Sequence, residues 1–250
     1  MHYAHGKFVW FEHHSNQRTE AQAFYRALFG WHFEENPMPD GSLYTMAKHG
    51  DHGIGGLRVS AQERGHWLGY VSVPDVDAAT HTAVKHGGNV LTQPMDYGPM
   101  GRASVIADPQ GAVFVLWKSA GGDAPDAPMP AIGSWCWMEL LTTHDKAALT
   151  FYSAVAGYAH DVKDMGPMGT YYVLKHDGVQ RAGVFQPRDI PMAIWVPYVN
   201  VPDCDAAAAK AGQLGATITL PPTDIPAVGR FALLTDPTGA SLGVIAFAGA

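Results

Sequence analysis

Residues 8–13, FVWFEH, open with four apolar positions and close with two polar ones, and a period of two would put Phe8, Trp10 and Glu12 on one face and Val9, Phe11 and His13 on the other. That period of two, rich in aromatics, predicts a strand. The pattern then changes to helical spacing, with Ala21, Phe24, Tyr25 and Leu28 on one stripe. Asn16 is the expected N-cap, and Gly30 supplies the left-handed residue that ends a helix. Short strand patterns follow at 32–35, 42–48 and 54–60, separated by Pro- and Gly-rich turns. The same order of strand, helix and three strands returns at 66–73, 75–86, 89–93, 102–107 and 112–118. Asp75 is the expected N-cap there, Gly87-Gly88 the terminator, and Asp108-Pro109-Gln110-Gly111 a type I turn.

The whole pattern is then written again. Trp10, Glu12, Phe24, Tyr25 and Gly30 recur at a constant offset of 127 as Trp137, Glu139, Phe151, Tyr152 and Gly157. Tyr70, Pro74, Asp75 and Asp77 recur at an offset of 128 as Tyr198, Pro202, Asp203 and Asp205. Gly101-Arg102, Asp108-Pro109 and Gly111 recur as Gly229-Arg230, Asp236-Pro237 and Gly239. An internal repeat of this length sets the architecture before any single residue does. It predicts an α+β chain of two tandem domains, 1–118 and 134–250, joined by the small, Pro- and Gly-rich linker 119–133. Each domain holds two βαβββ modules, at about 6–60 and 66–118, then 134–187 and 193–247.

Composition narrows the function classes. A formal net charge of −7 without a clustered basic stripe argues against nucleic acid as a partner. Two cysteines, Cys136 and Cys204, are too few for a disulfide framework and carry no nearby base. No apolar run approaches the length that crosses a membrane or forms a signal segment, so a cytoplasmic protein is expected.

The motifs FYxxLFGW, W-x-x-Y-V-x-V-P-D-V-D and G-R-x-x-x-x-x-D-P-x-G-A resemble the vicinal oxygen chelate (VOC) superfamily, in its tandem, two-domain glyoxalase-like branch. That superfamily includes glyoxalases, bleomycin-resistance proteins and extradiol dioxygenases. The resemblance implies curved mixed sheets wrapping clefts, and a divalent metal held by His, Glu or Gln at set strand positions. Carried across by motif, those positions fall on Trp10, Leu68 and Val115, then Trp137, Val196 and Gly243, with Gly55-Gly56 and Ala182-Gly183 on the fourth strands. None of these side chains ligates a divalent cation. No metal site and no cofactor are therefore expected, and metal-dependent glyoxalase activity is expected to be weak or absent. The alternative is a displaced divalent-metal site of two ligands, Glu12 and His66, in the first domain only, since Ile194 stands where His66 would recur.

Glu12 and Glu139 share a face with the tryptophans, and a poorly paired carboxylate among aromatics suits proton transfer. The structural alternative is that Arg102 and Arg230 pair with them, the commoner fate of a buried carboxylate. If the chain is catalytic, Arg102 and Arg230 would orient an anionic or enolisable substrate. Trp10, Tyr44, Tyr70, Trp137, Tyr171 and Tyr198 are the expected ligand-binding aromatics, with Trp67 and Trp195 on the same strands; core packing is the alternative for all. The expected function is a glyoxalase- or dioxygenase-like protein acting on or binding a small molecule in an aromatic-lined cleft. A non-catalytic, ligand-sequestering protein is the alternative, and a third is that one domain is structural while the other keeps a site. The resemblance implies either a monomer of pseudo-dimeric domains or a homodimer, with no membrane partner.

Overall fold

The computed structural model describes residues 1–38, 41, 43–126 and 129–249. The first module runs β1 (Phe8–Ser15), α1 (Arg18–Phe29), β2 (His32–Pro37), β3 (Leu43–His49) and β4 (His52–Val59). The second runs β5 (His66–Ser72), α2 (Val76–Lys85), β6 (Asn89–Asp96), β7 (Gly101–Ala107) and β8 (Val113–Ser119). The third runs β9 (Trp135–Leu141), α3 (Asp145–Ala156), β10 (Ala159–Asp164), β11 (Thr170–His176) and β12 (Val179–Phe185). The fourth runs β13 (Ile194–Asn200), α4 (Cys204–Gln213), β14 (Thr217–Ile225), β15 (Gly229–Thr235) and β16 (Ser241–Phe247). Among the described residues these strands form two curved, mixed, eight-stranded sheets. Their orders are β2-β3-β4-β1-β5-β8-β7-β6 and β10-β11-β12-β9-β13-β16-β15-β14, so the α+β architecture of four βαβββ modules stands. Ser42, the expected start of the third strand, and residues 127–128 of the linker lie outside the described residues.

Local differences from the sequence pattern have local causes. Asn16 does not cap α1; Gln17 occupies that position, and the Ser15 hydroxyl accepts the Gln17 N–H at 2.9 Å. Asp75 and Asp203 do cap α2 and α4, each accepting a backbone N–H at 2.9 Å. Strand β6 runs on through Pro94 to Asp96, beyond the end expected at residue 93. It lies at the sheet edge, where a missing N–H costs no ladder bond.

By packing, the chain divides into two compact units, each taking one module from either half of the sequence. Unit 1 is Met1–Trp10, Leu68–Ala127 and Trp137–Trp195; unit 2 is Phe11–Trp67, Pro128–Cys136 and Val196–Ala250. In unit 1, α2 packs on α3; in unit 2, α1 packs on α4. Each unit is centred on one buried hydrogen-bonded relay. In unit 2 the Trp67 indole N–H donates to the Tyr25 hydroxyl at 2.7 Å, and that hydroxyl donates to Asp236 Oδ2 at 2.7 Å. Asp236 Oδ1 accepts the N–H groups of Thr238 and Ala240, which shape the β15–β16 turn. In unit 1, Trp195 donates to Tyr152 at 2.8 Å, and Tyr152 to Asp108 Oδ2 at 3.0 Å. Asp108 Oδ1 likewise accepts Gln110 and Ala112 at the β7–β8 turn. Trp67 and Trp195, expected to line a ligand cleft, are buried relay donors: period two turns them to the face opposite their strand neighbours.

The two relays differ in one group. His13 in unit 2 is wholly buried and its Nε2 lies 3.1 Å from Asp236 Oδ2, whereas Leu140 occupies the matching position in unit 1. Burial raises the Asp108 carboxyl above its ordinary value, against its backbone and Tyr152 hydrogen bonds. Burial pushes Asp236 the same way, but the hydrogen bond and charge of His13 overcome it and hold that carboxyl below the ordinary value.

Removing a relay hydroxyl leaves a buried tryptophan N–H and an aspartate oxygen short of a partner, which costs about 1–3 kcal/mol. Tyr152→Phe is expected toward the upper end, about 3 kcal/mol, and Tyr25→Phe nearer 1 kcal/mol, because His13 still serves Asp236 Oδ2. Urea unfolding of the two variants measures the difference; equal costs would remove the part assigned to His13.

Candidate functional site

Parallel pairing of β1 with β4 sets the site in unit 2, placing Glu12 opposite Gly56 and His14 opposite Arg58. Glu12 and His14 share a face of β1 through the period of two, and Arg58 follows Gly56 by the same step on β4. Glu12 Oε2 lies 3.2 Å from His14 Nε2. Arg58 Nε donates to Glu12 Oε1 at 3.3 Å and stands the same distance from Oε2. The Glu12 side chain is 5% exposed, against 22% for His14 and 39% for Arg58. The carboxylate is thus the floor of the site, and the two cationic or ionisable groups are its rim. The Arg58 guanidinium stands 5.1 Å from the Tyr44 ring centroid, and the His14 ring stacks on His66 at 5.3 Å and 25°. Burial, with His14 beside it, pushes His66 down to about 4 against a hydrogen bond that its ring donates to the Arg64 backbone carbonyl.

Unit 1 carries the matching residues in altered form. Glu139 is buried on β9, with Trp137 two residues earlier. Trp137 donates its indole N–H to the Tyr171 hydroxyl at 2.9 Å. Burial and the Glu139 charge hold Tyr171 well above the ordinary phenol value; its hydroxyl donates to Glu139, and the Trp137 bond works the other way. The positions of His14, Arg58 and His66 are taken by Leu141, Phe185 and Ile194. The two units share a frame of glutamate, tyrosine and glycine, and only unit 2 has a histidine and an arginine beside it.

Glycine in this frame has a steric cause. A Cβ on Gly56 would stand 2.0 Å from the Tyr44 hydroxyl, and one on Gly183 1.9 Å from that of Tyr171. A Cβ on Gly243 would stand 2.4 Å from the Tyr198 ring. Three positions at which the resemblance places a metal ligand therefore carry a glycine roofed by a tyrosine. Among the described residues no three His, Cys, Asp or Glu side chains come together to hold a metal ion. The donor set at these positions does not fit a divalent cation.

Other expected residues sit elsewhere. Trp10 and Tyr70 belong to unit 1, where Tyr70 packs edge-on to Trp117 at 5.9 Å and against the cluster of Leu68, Ala103 and Val115. The expectation that Arg102 and Arg230 pair with the glutamates is corrected. Arg102 forks onto Asp77 at 2.7 and 2.8 Å and reaches Asp96 at 3.0 Å. Arg230 repeats this with Asp205 at 2.6 and 3.0 Å and Asp224 at 2.9 Å. Each arginine ties a helix start to a hairpin, since the aspartate at the second position of the helix lies within reach of its fork. Asp77 and Asp205 therefore do more than favour a helix start. Burial pushes the Cys136 thiol up, and burial with the nearby Asp205 charge brings Cys204 to about 11, so neither is a nucleophile.

The chain covers 97% of its own length and 95% of the "Putative glyoxylase CFP32" of Mycobacterium tuberculosis in a match of 35% identity. The chain belongs to the vicinal oxygen chelate superfamily. Residues 11–117 of this VOC protein match the family described as Glyoxalase-like domain. It is also 30% identical to the Anthracycline biosynthesis protein DnrV of Streptomyces peucetius, over 97% of this chain and 94% of that one. In fold it is similar to the Mn(II)-bound glyoxalase of Novosphingobium aromaticivorans, with a TM-score of 0.64, 16% identity, and coverage of 97% of this chain and 82% of that one.

Two outcomes check this geometry. Gly56→Ala is expected to displace Tyr44 and cost about 1–3 kcal/mol, as overpacking does, and Tyr44→Leu in the same chain should recover most of that loss. Denaturant unfolding of the single and double variants reads it. The unfolded chain binds the His66 proton between the ordinary 6.5 and about 4 while the folded protein does not, so this residue makes stability rise with pH across that window. In His66→Gln the rise should shrink, as thermal melts between pH 4 and 7 will show.

Proposed function

We propose that this VOC protein binds a small anionic or enolisable molecule at Glu12, His14 and Arg58 and moves a proton on it without a metal ion. One observation carries the reading: a buried carboxylate is bracketed by an arginine and a histidine in unit 2, while the duplicate frame in unit 1 has Phe185 and Leu141 in their places. A guanidinium at the rim suits a carboxylate, phosphate or enolate oxygen. The Glu12–His14 pair supplies a proton acceptor beside it. Glu139, bonded to Tyr171 and walled by Trp137, suits an apolar or aromatic part of a ligand better than acid–base work. The chemistry is then that of an isomerase, epimerase or lyase step through an enolate, and no step runs through a metal. Among the described residues no helix is long and apolar enough to cross a membrane, and a small molecule is the proposed partner.

A second reading, ligand sequestration without turnover, draws support from the tyrosine-roofed glycines in both units. The relative DnrV is named for anthracycline biosynthesis, which adds flat aromatic ketones and quinones to the ligands worth offering.

The test is proton–deuterium exchange in D₂O, followed by NMR with a chelator present. The substrates are pyruvate, oxaloacetate, dihydroxyacetone phosphate and the hemithioacetal of methylglyoxal with glutathione. Protein-dependent exchange that survives the chelator is expected, and Arg58→Met should raise KM for the anionic substrates about 10–100-fold, the worth of one charged hydrogen bond. Lactoylglutathione formation that requires a stoichiometric nickel, zinc or iron ion would overturn the metal-free reading. Silence across the panel, with tight quenching of tryptophan fluorescence by a quinone, would favour sequestration.

A further inference from the structure

We infer that the proton acceptor of this site is Nδ1 of His14, and that Glu12 is its positioning residue. The inference deepens the proposed function and rests on it for the identity of the reaction, though not for the geometry. Glu12 has the lesser claim to be the base because it lies deepest and its oxygens already face Arg58 Nε and His14 Nε2. A carboxylate neutralised by a guanidinium at this range is a weak base. His14 is the more accessible of the two, with more than four times the fractional exposure of Glu12.

The hydrogen bond also selects the tautomer. An ionised carboxylate only accepts, so His14 Nε2 must carry the hydrogen, which leaves the lone pair on Nδ1. The ring cannot swing freely, because its face lies on His66 at 5.3 Å. His66 is held neutral by its surroundings, so a charge forming on His14 meets no cation on that side. A buried carboxylate that orients an imidazole and balances the imidazolium is a recurrent solution to proton transfer. Unit 1 supports the division of labour: it keeps a glutamate, Glu139, but has Leu141 at the imidazole position, and there the glutamate is spent on Tyr171.

The step balances without a further reagent. The C–H bond α to the substrate carbonyl breaks and its electron pair moves to the carbonyl oxygen, giving an enolate that faces the Arg58 guanidinium. The proton goes to His14 Nδ1, and the imidazolium is paired with Glu12 through Nε2–H. Return of the proton from His14 to the same α-carbon re-forms the carbonyl and restores the neutral ring.

Three measurements test this. In the wild type, a long-range ¹H–¹⁵N spectrum should show His14 as the Nε2–H tautomer, and diethyl pyrocarbonate should acylate His14 ahead of His66, read by peptide mass mapping. With pyruvate as probe, His14→Gln should slow exchange about 10²–10⁴-fold, the usual worth of an acid–base group. Glu12→Gln should slow it about 10–100-fold at unchanged KM while mixing the His14 tautomers. An Nδ1–H tautomer in the wild type overturns the inference, as does exchange that survives His14→Gln but not Glu12→Gln. If pyruvate and the rest of the panel show no exchange with the wild type, the proposed function fails. The paired arrangement is then judged by the spectrum and the acylation pattern, which need no substrate and no variant to fold.

Discussion

Each compact unit depends on a tyrosine hydroxyl suspended between a tryptophan N–H and an aspartate. Asp236 and Asp108 are expensive to bury, and the turns they organise would expose unpaired N–H groups without them. Tyr25 and Tyr152 join a helix from one half of the sequence to a hairpin turn from the other, so the relay also explains why each unit mixes the halves. Removing the hydroxyl strands a donor and an acceptor together. The arginines near the helix starts, Arg102 and Arg230, do a smaller version of the same task at the surface, where solvent weakens each ion pair.

On this frame the two units have diverged in an informative direction. Replacing a buried or half-buried ion pair by apolar residues of similar size is often neutral or stabilising by about 1–4 kcal/mol. Unit 1 keeps the buried Glu139, bonds it to Tyr171 and has Leu141, Phe185 and Ile194 in place of the arginine and histidines, so the fold does not require those three groups. Unit 2 retains Glu12, His14, Arg58 and His66, among which His66 is held well away from its ordinary protonation behaviour. A set that stability alone would discard is where ligand chemistry is to be sought. Tyrosine rings occupy the space over Gly56, Gly183 and Gly243, where a side chain would otherwise stand.

The fold was open to sequence reading because its determinants are periodic and local. Alternation marks strands, the stripe of Ala21, Phe24, Tyr25 and Leu28 marks the helix, Gly30 and Gly157 end helices in the left-handed region, and the offset of 127 repeats them. Glu12, Tyr44, Glu139 and Tyr171 were within reach by the same means. His14 was too, since it follows Glu12 by two residues and so shares its face. The offset could also have flagged it, because Leu141 shows the position is free to be apolar.

What pairing and packing decided lies between segments distant in the chain. Arg58 reaches Glu12 only because β1 and β4 are parallel in a register that sets His14 opposite Arg58, and no local pattern encodes register. Arg102 and Arg230, better placed by motif logic, go to aspartates because a two-pronged fork takes the nearest carboxylates on a neighbouring helix. The order of strands and helices is thus a property of short-range periodicity, whereas the partners of each buried charge are a property of the assembled sheets. An electrostatic contact is decided by distances of a few ångströms, and only the tertiary structure brings those about.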